Sequence, residues 1–530
     1  MIERAIEDWL TKAYERDYLL SFCQVLIHKG HRILYISSHS QLEQGKDIIT
    51  IDADGNCCAY QLKAGQIDIQ EWRKIRGEVK ELIELPVVHP SVDRSKIHKS
   101  YLVTNGDFTD PVRLQIAQIN EDNKIKKRNY SYLDTLNGKT LLKDFIDAQG
   151  EFLPRGIEQF ESFLDFFRYD GRDFFPKNKY FNFINRAIFS KAGKVRTRQI
   201  SAITSSIIIT AYLLKQFQLR RNYYAQFEAW IALATSQLRF ATSLKMDHNL
   251  WQPSYQIVME EARRNLSTLK DELFTRDDFL EGNWIGDGGD LYRTRVTLVL
   301  GAIAALESWF HRNGSKPKDK MLLEIIRTNI RKMFFWGESA FPFIYHIVKY
   351  LELVEEQRLA NQLLILTLDY ILNLNHPHSV SGLASPYYSP SDVLESKFGI
   401  TLDDIDFGDF PGSSYILESI ILMLTRRNMR DVVASRWRTI SHMMLEGFKL
   451  DRIEDTFTWK TEDGENAVYN PKATKSWREL KLEATDITIC PELYKQNLDL
   501  LHFFVLVCPH RASSTVVSLL DTETPATHRQ

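Results

Sequence analysis

The sequence predicts a small α/β domain at the N terminus, followed by a large all-α region. Up to about residue 150, short runs rich in β-branched and aromatic residues alternate with helical patterns. Beyond that point, apolar residues recur at helical spacing over long blocks with almost no internal glycine. At 530 residues the chain also exceeds what one ordinary hydrophobic core supports, so more than one domain is expected.

The N-terminal elements are predicted in the order helix, three strands, helix, strand, helix. Residues 1–29 place apolar side chains at helical spacing, and the pattern ends at Gly30. The remaining elements are strands at 31–37, 47–51 and 57–63, a helix at 69–85, a strand at 99–106 and a helix at 110–120. Consecutive strands followed by a crossover helix and a further strand favour an α/β or α+β domain with a mixed sheet.

The predicted N-terminal domain spans residues 1–150. The chain after it divides into two predicted parts. Residues 151–450 are helical and are interpreted as a region for binding, sensing or oligomerisation, without a sequence repeat of fixed period. Residues 451–530 mix polar turns with an apolar run and end in a tail that is expected to fray.

Composition limits the classes of function. The net charge of −2 gives no whole-molecule field for a polyanion, so any basic surface must be local. Five cysteines without a framework spacing indicate neither a disulfide scaffold nor structural zinc. The charged N terminus is unlike a signal peptide, and the most apolar run, 201–214, is too short to cross a bilayer. We therefore expect a cytoplasmic protein without a membrane partner.

One predicted hairpin carries polar residues at matching ends of its two strands. Asp54-Gly55 is a strong turn signal, Asp47 begins the first strand, and Gln61 and Lys63 end the second. Residues two apart on a strand share a face, and Asp47 on the neighbouring strand approaches the same point. Oxygen ligands suit Mg²⁺ or Mn²⁺, which lowers the pKa of a water during phosphodiester cleavage. We predict that Asp47 and Gln61 bind metal, towards which the backbone carbonyl of Leu62 can also turn, and that Lys63 orients or polarises the attacking water.

This arrangement resembles the PD-(D/E)XK nuclease superfamily in its Mrr-like variant, whose motif is D…QxK. Here Asp47 is followed by thirteen residues and then by Gln61, Leu62 and Lys63. The resemblance covers roughly residues 1–150 and implies a restriction-endonuclease-like mixed sheet flanked by helices. It also implies metal-dependent cleavage of nucleic acid, most often DNA, leaving 5′-phosphate ends, with Asp47, Gln61 and Lys63 as the catalytic residues.

The resemblance implies a further acidic residue from the first helix. Glu15 and Asp17 are candidates, although both lie about a turn earlier than the pattern suggests, and Glu43 is an alternative from a loop. Because Gln61 is neutral, Asp47 is the only member of the motif that carries negative charge. The site therefore needs another carboxylate.

The resemblance and the domain order together suggest a biological role. A nuclease joined to a large helical region is similar to effectors of bacterial restriction or anti-phage defence. The chain has no GxxxxGK[ST] motif, so a separate NTPase or sensor protein is a possible partner. Homo-oligomerisation is plausible because cutting two strands needs two sites. Two alternatives stay open: a catalytically inactive nuclease fold that serves as an interaction scaffold, and a nuclease directed at RNA.

A second feature points to nucleic acid. Residues 174–227 contain ten Lys or Arg and no acid, although 69 acids in 530 residues would place about seven in such a segment. Four aromatic residues there, Phe174, Phe175, Tyr180 and Tyr223, are candidates for stacking on bases, unless they form helix core and the basic residues a solvated rim. The residues predicted to neutralise phosphates are Lys191, Lys194, Arg196, Arg198, Arg220 and Arg221.

Overall fold

The structure is a computed structural model of the chain. It describes residues 6–7, 10–11, 13–37, 45–89, 91–93, 96–149, 163, 165–191, 196–276, 278–280, 289–314, 320–379, 382–397, 412–448, 455–458, 467–470, 475–488 and 490–522.

The described part of residues 1–149 follows the predicted order of elements. In chain order the elements are α1 (Glu15–His28), β1 (Arg32–Ile36), β2 (Ile48–Ile51), β3 (Cys57–Lys63), α2 (Ile69–Glu84), β4 (Lys99–Thr104), α3 (Asp110–Ile125), β5 (Leu133–Leu136) and α4 (Gly138–Gln149). Each predicted helix and strand is present, with ends that differ from the prediction by a few residues. The exception is the first helix, predicted over 1–29: residues 6–7 and 10–11 are helical, residues 13–14 are not, and α1 begins at Glu15.

The five strands form one mixed sheet in the order β1-β2-β3-β4-β5. The β1–β2 and β2–β3 pairs are antiparallel, whereas β3–β4 and β4–β5 are parallel. The parallel pairs are connected through α2 and α3, as parallel strands need a crossover connection. The predicted mixed sheet flanked by helices is confirmed, and β3 lies at its centre.

The hairpin between β2 and β3 closes through the predicted Asp-Gly turn. Gly55 has a φ of +83°, a conformation that an L side chain rarely adopts. The side chain of Asp52 accepts hydrogen bonds from the backbone N–H groups of Asp54, at 3.1 Å, and Asn56, at 2.8 Å. These contacts fix the register that places the start of β2 beside the end of β3.

Helix α2 covers one face of the sheet with an apolar stripe. Its buried residues follow helical spacing, and its first turn is capped by Asp68, whose side chain accepts from two backbone N–H groups at 2.8 Å. The stripe consists of Trp72, Ile75, Val79, Leu82 and Ile83.

The chain divides into two compact units, and the first extends beyond the sheet. It comprises residues 1–170, 179–216 and 244–258. Within it, the helix at Arg196–Leu213 packs against α1 and α4, and Ser254 donates a hydrogen bond of 2.8 Å to Gln24 on α1. The domain boundary predicted at residue 150 stays a prediction. The helix at Arg196–Leu213 follows that boundary in sequence and yet packs against helices that precede it.

The second unit comprises residues 171–178, 217–243 and 259–530. In chain order, the helices after α4 are α5 (Lys177–Phe183), α6 (Arg196–Leu213), α7 (Lys215–Leu219), α8 (Tyr223–Ser243), α9 (His248–Thr275), α10 (Gly289–Arg312), α11 (Met321–Asn329), α12 (Phe341–Leu353), α13 (Gln357–Leu374), α14 (Pro390–Lys397), α15 (Leu417–Arg426), α16 (Arg430–Ile440), α17 (Trp477–Thr485), α18 (Glu492–Gln496), α19 (Leu498–Val507) and α20 (Ser514–Thr522).

The prediction of an all-α region is wrong in one respect. A three-stranded sheet in the order β6-β7-β8 is formed by β6 (Ser413–Ser414), β7 (Met444–Phe448) and β8 (Ala467–Asn470). Its first strand has only two residues, too few to produce an alternating pattern in the sequence. Among the described residues, no helix combines the length and apolar composition needed to cross a membrane.

Candidate functional site

The sheet brings Asp47 to the end of β3, as predicted. In the antiparallel β2–β3 pair Ile48 lies opposite Tyr60, so the preceding residue, Asp47, lies beside Gln61. The Asp47 carboxylate accepts a hydrogen bond of 2.7 Å from the backbone N–H of Leu62. Its own backbone N–H donates to the Tyr60 carbonyl at 2.8 Å. The carboxylate is thus held against the strand segment between Gln61 and Lys63.

Gln61 and Lys63 share one face of β3 and also share one partner. Gln61 Nε2 donates to Glu78 Oε2 at 2.6 Å, and Lys63 Nζ lies 2.8 Å from the same oxygen. Glu78 is on the crossover helix α2, so this carboxylate joins the helix to the end of the strand. The structure therefore brings Asp47, Gln61 and Lys63 together and adds a fourth residue that the sequence analysis missed.

A signal for Glu78 is present in the sequence. In α2 it follows buried Ile75 by three residues and precedes buried Leu82 by four, so it lies at the border of the apolar stripe. A carboxylate at that border can reach the sheet while it stays partly exposed, and the Glu78 side chain is 52% exposed. The other acids of α2 do not share this spacing with two core residues.

Lys63 is held as a cation by several carboxylates. Burial alone would lower the pKa of Lys63, but its hydrogen bond to Glu78 and the charges of Glu15, Glu78 and Asp47 raise that pKa above its ordinary value. Its side chain is only 14% exposed. A protonated amine at this position can stabilise negative charge that develops close to the end of β3.

Glu15 contacts the lysine of the motif. It begins α1, and its Oε1 lies 3.7 Å from Lys63 Nζ. Asp17 is also in α1, but its side chain lies outside the described residues, as does the whole of Glu43. Of the three candidates from the sequence, Glu15 is the one for which a contact with the motif is described.

Gln61 has a buried oxygen that lacks a donor. Because Nε2 faces the carboxylate of Glu78, Oε1 points elsewhere, and no described residue donates a hydrogen bond to it. Leaving such an acceptor unpaired in a side chain that is 3% exposed costs about 1–3 kcal/mol. A cation bound by this oxygen would remove that cost. Among the described residues, no three His, Cys, Asp or Glu side chains are arranged to hold a metal ion.

Asn105 fixes the start of α1 relative to the sheet. Its Nδ2 donates to the carbonyls of Leu10, at 2.6 Å, and Ala13, at 2.7 Å, and its Oδ1 accepts from the N–H of Gly65 at 2.7 Å. Tyr18 adds a second connection, because its hydroxyl donates to the Lys63 carbonyl at 2.7 Å. These bonds position Glu15 beside the end of β3.

Gly45 allows Asp47 to approach α2 closely. Its φ is +68°, and a Cβ at this position would lie 2.4 Å from the backbone oxygen of Glu78. Any larger residue would push the segment before β2 away from the helix. The backbone geometry thus fixes the separation between the Asp47 loop and the helix that carries Glu78.

The basic segment, residues 174–227, differs in part from its prediction as a nucleic-acid-binding surface. Phe175 and Tyr180 are 2% and 0% exposed, so their predicted stacking on bases is wrong and they belong to the core. Arg198 is exposed in the first unit, whereas Arg220 and Arg221 are exposed in the second. Lys194 and the side chains of Lys191 and Arg196 lie outside the described residues. A common phosphate-binding surface for these six residues stays a prediction.

Comparison with known proteins gives no match: no family model, no curated protein and no solved structure resembles the chain.

Proposed function

We propose that the first unit is a metal-dependent endonuclease of the PD-(D/E)XK kind that cleaves nucleic acid, with DNA as the preferred substrate. The observation that supports this most strongly is the convergence of Asp47, Gln61 and Lys63 at one end of β3, with two further carboxylates in contact with the lysine. The buried Oε1 of Gln61, which has no donor among the described residues, adds a free oxygen at the same point.

The residues present fit a hard divalent cation, Mg²⁺ or Mn²⁺. Asp47 would supply a carboxylate oxygen, Gln61 its unpaired Oε1, and Leu62 its backbone carbonyl, all of which are oxygen ligands. Glu15 is the candidate for an additional acidic ligand. When bound, such an ion neutralises charge on the scissile phosphate and lowers the pKa of a water.

The side chains around this position have distinct tasks in the proposal. Lys63 stays protonated, orients the water and stabilises charge on the phosphate, as its raised pKa permits. Glu78 is a positioning residue, because it holds both Lys63 and Gln61 without being a member of the motif. Asp47 orients through its bond to the Leu62 N–H.

A test is incubation of the purified full chain with plasmid DNA and with RNA, in Mg²⁺ and in EDTA. We expect nicking or linearisation of the plasmid in Mg²⁺ only, and loss of cleavage by at least a hundredfold in Asp47→Ala and Lys63→Ala. Lys99→Ala is the matched control. Lys99 begins β4 and forms a 2.8 Å pair with Asp52, which follows β2, so the pair lies at the opposite end of these strands from Lys63. That exposed pair is expected to contribute little to stability and nothing to cleavage.

Other outcomes distinguish the alternatives. Faster cleavage of RNA than of DNA would make the protein an RNA-directed nuclease. Cleavage that persists in EDTA or in Asp47→Ala would rule out this site. Absence of cleavage of either polymer, with no effect of metal on stability, would favour an interaction scaffold built on a nuclease-like sheet. The wider role as an effector of restriction or anti-phage defence depends on the same result.

A further inference from the structure

The second unit contains a cavity of about 510 Å³ that the proposed nuclease activity does not use. It lies at the beginning of α8, against the last turns of α9 and the first turns of α10. Five arginines line it: Arg172, Arg220, Arg221, Arg276 and Arg295.

The cavity has an excess of positive charge. Against its five arginines stand two lining acids, Asp173 and Glu272, and Asp278 outside the lining, whose carboxylate lies 3.4 Å from Arg276 Nε. Burial, followed by the charge of Arg276, lowers the pKa of Arg295, although Glu272 and Asp278 act in the opposite direction. Such a cluster is unfavourable by itself, and an anion placed among the guanidinium groups would relieve the repulsion.

Asn222 holds the arginine-bearing segments in place. Its Nδ2 donates to the carbonyls of Gly171, at 3.0 Å, and Asp173, at 2.9 Å, which brings Arg172 to the cavity. Its Oδ1 accepts from the N–H of Ala225 at 3.1 Å, so the same residue caps the start of α8. Arg221, immediately before it, has a φ of +54°. The positive end of a 21-residue helix therefore faces a site that is already cationic.

Aromatic side chains supply flat surfaces beside the arginines. The guanidinium carbon of Arg295 lies 4.7 Å from the ring centre of Phe279, and that of Arg276 lies 5.8 Å from it. Tyr223 and Tyr292 are half-buried and also line the cavity. Guanidinium planes and aromatic faces are the groups on which nucleobases stack.

The cavity also contains a polar group that lacks a partner. Thr294 lines it and is 1% exposed, and among the described residues its hydroxyl oxygen has no hydrogen-bond partner. A buried hydroxyl of this kind usually meets a protein group, a water or a ligand. Charge, stacking surface and an unpaired hydroxyl thus occur together in one small cavity.

We propose that this cavity binds a nucleotide, with the arginines on its phosphates and the aromatic side chains against its base. The volume is in the range of small-molecule sites. All of these residues belong to the second unit, so nucleotide binding does not depend on whether the first unit is a nuclease.

The test measures binding of ATP, GTP, CTP and UTP to the full chain by calorimetry in EDTA, which keeps the metal site inactive. Inorganic triphosphate serves as a probe with phosphates but without a base. We expect at least one nucleotide to bind, and triphosphate to bind at least tenfold more weakly. Arg221→Gln and Arg295→Gln should each weaken nucleotide binding by about ten- to a hundredfold, as loss of a charged hydrogen bond does.

Two further variants separate specific from general effects. Tyr223→Leu should weaken nucleotide binding but leave triphosphate binding unchanged, because it removes only a stacking surface. Arg331→Gln, an exposed arginine that does not line the cavity, should change neither. Circular dichroism checks that each variant folds. The proposal is overturned if none of the four nucleotides binds, if the arginine variants bind normally, if triphosphate binds as tightly, or if only a single-stranded oligonucleotide binds.

Discussion

Replacing Gln61 by leucine tests whether its buried oxygen belongs to a metal site. The change removes the unpaired Oε1, which relieves about 1–3 kcal/mol, and it also removes the bond from Nε2 to Glu78. A hydrogen bond to a charged group contributes about 1.5–3 kcal/mol when buried, and less here because the Glu78 side chain is 52% exposed. The two effects oppose each other. We therefore expect the free energy of unfolding in EDTA to change by no more than about 1 kcal/mol.

The response to metal should change much more. A ligand that binds only the folded state at a hundred times its Kd stabilises by about 2.7 kcal/mol, which corresponds to a rise in Tm of about 5–10 °C for a unit of this size. The native chain should show such a rise as Mg²⁺ is titrated. The Gln61→Leu variant should lose most of it, because one of its three proposed oxygen ligands is gone. Differential scanning calorimetry, with NaCl at matched ionic strength, measures both quantities.

Gln24→Leu is the matched control for this experiment. Gln24 is fully buried in α1 of the same unit, and its Oε1 accepts from Ser254 at 2.8 Å. The substitution removes an Nε2 that has no partner among the described residues and leaves the Ser254 hydroxyl unpaired, so two effects of about 1–3 kcal/mol oppose each other, as they do in Gln61→Leu. The full Mg²⁺ shift should be kept. An unchanged Mg²⁺ shift in Gln61→Leu, or none in the native chain, would refute the metal assignment.

Three more predictions follow from the described contacts. Glu78→Gln should lower the pKa of Lys63 and shift the high-pH limb of the cleavage profile to lower pH. The control Glu71→Gln breaks a 2.8 Å pair with Lys74 on the same helix and should leave that limb in place, so equal profiles for the two variants would contradict the positioning role of Glu78. Asn105→Ala should destabilise by about 2–4 kcal/mol in urea unfolding, because it removes three hydrogen bonds to the backbone, of which, among the described residues, only the one to Leu10 leaves its carbonyl with another donor, Ala13 N–H at 3.3 Å. A loss below about 1 kcal/mol would show that α1 is anchored elsewhere. Burial raises the pKa of Glu338 to about 8, above its unfolded value of about 4.5, so its contribution to stability is full below pH 4.5 and is lost as the pH rises through 8. Glu338→Gln should remove that loss, and a Tm difference between variant and native chain that does not change from pH 4.5 to 8 would contradict it.

The N-terminal fold was predictable because its signals are local. The Asp-Gly turn, the alternation of β-branched residues and the capped amphipathic pattern of 69–85 each depend on neighbours in sequence. The parallel orientation of β3–β4 and of β4–β5 then follows, because a helix connects the two strands of each pair. The small sheet of β6, β7 and β8 had no such signal, because its pairing joins segments that are distant in sequence and its first strand has two residues.

The site was predictable only in part, for a related reason. The alternation of a strand was enough to place Gln61 and Lys63 on one face, and the hairpin register was enough to add Asp47. The contact with Glu78 depends on the rotation of α2 about its axis, which its tertiary packing sets. The contact with Glu15 depends on where α1 begins, and Asn105, which follows β4 far along the chain, determines this.

The position of Glu78 also explains why residue 61 is an amide rather than an acid. Three carboxylates, Glu15, Asp47 and Glu78, already surround Lys63 in the described part of the site. A glutamate at position 61 would place a fourth carboxylate about 2.6 Å from Glu78, where two like charges strongly disfavour each other's ionised form. An amide avoids this repulsion, because its NH₂ group donates to Glu78 while its carbonyl oxygen stays available. The substitution Gln61→Glu should therefore raise the pKa of the carboxyl pair and weaken Mg²⁺ binding below about pH 7, despite the added acid. A Mg²⁺ affinity that increases at pH 6 in this variant would contradict this account of the amide at position 61.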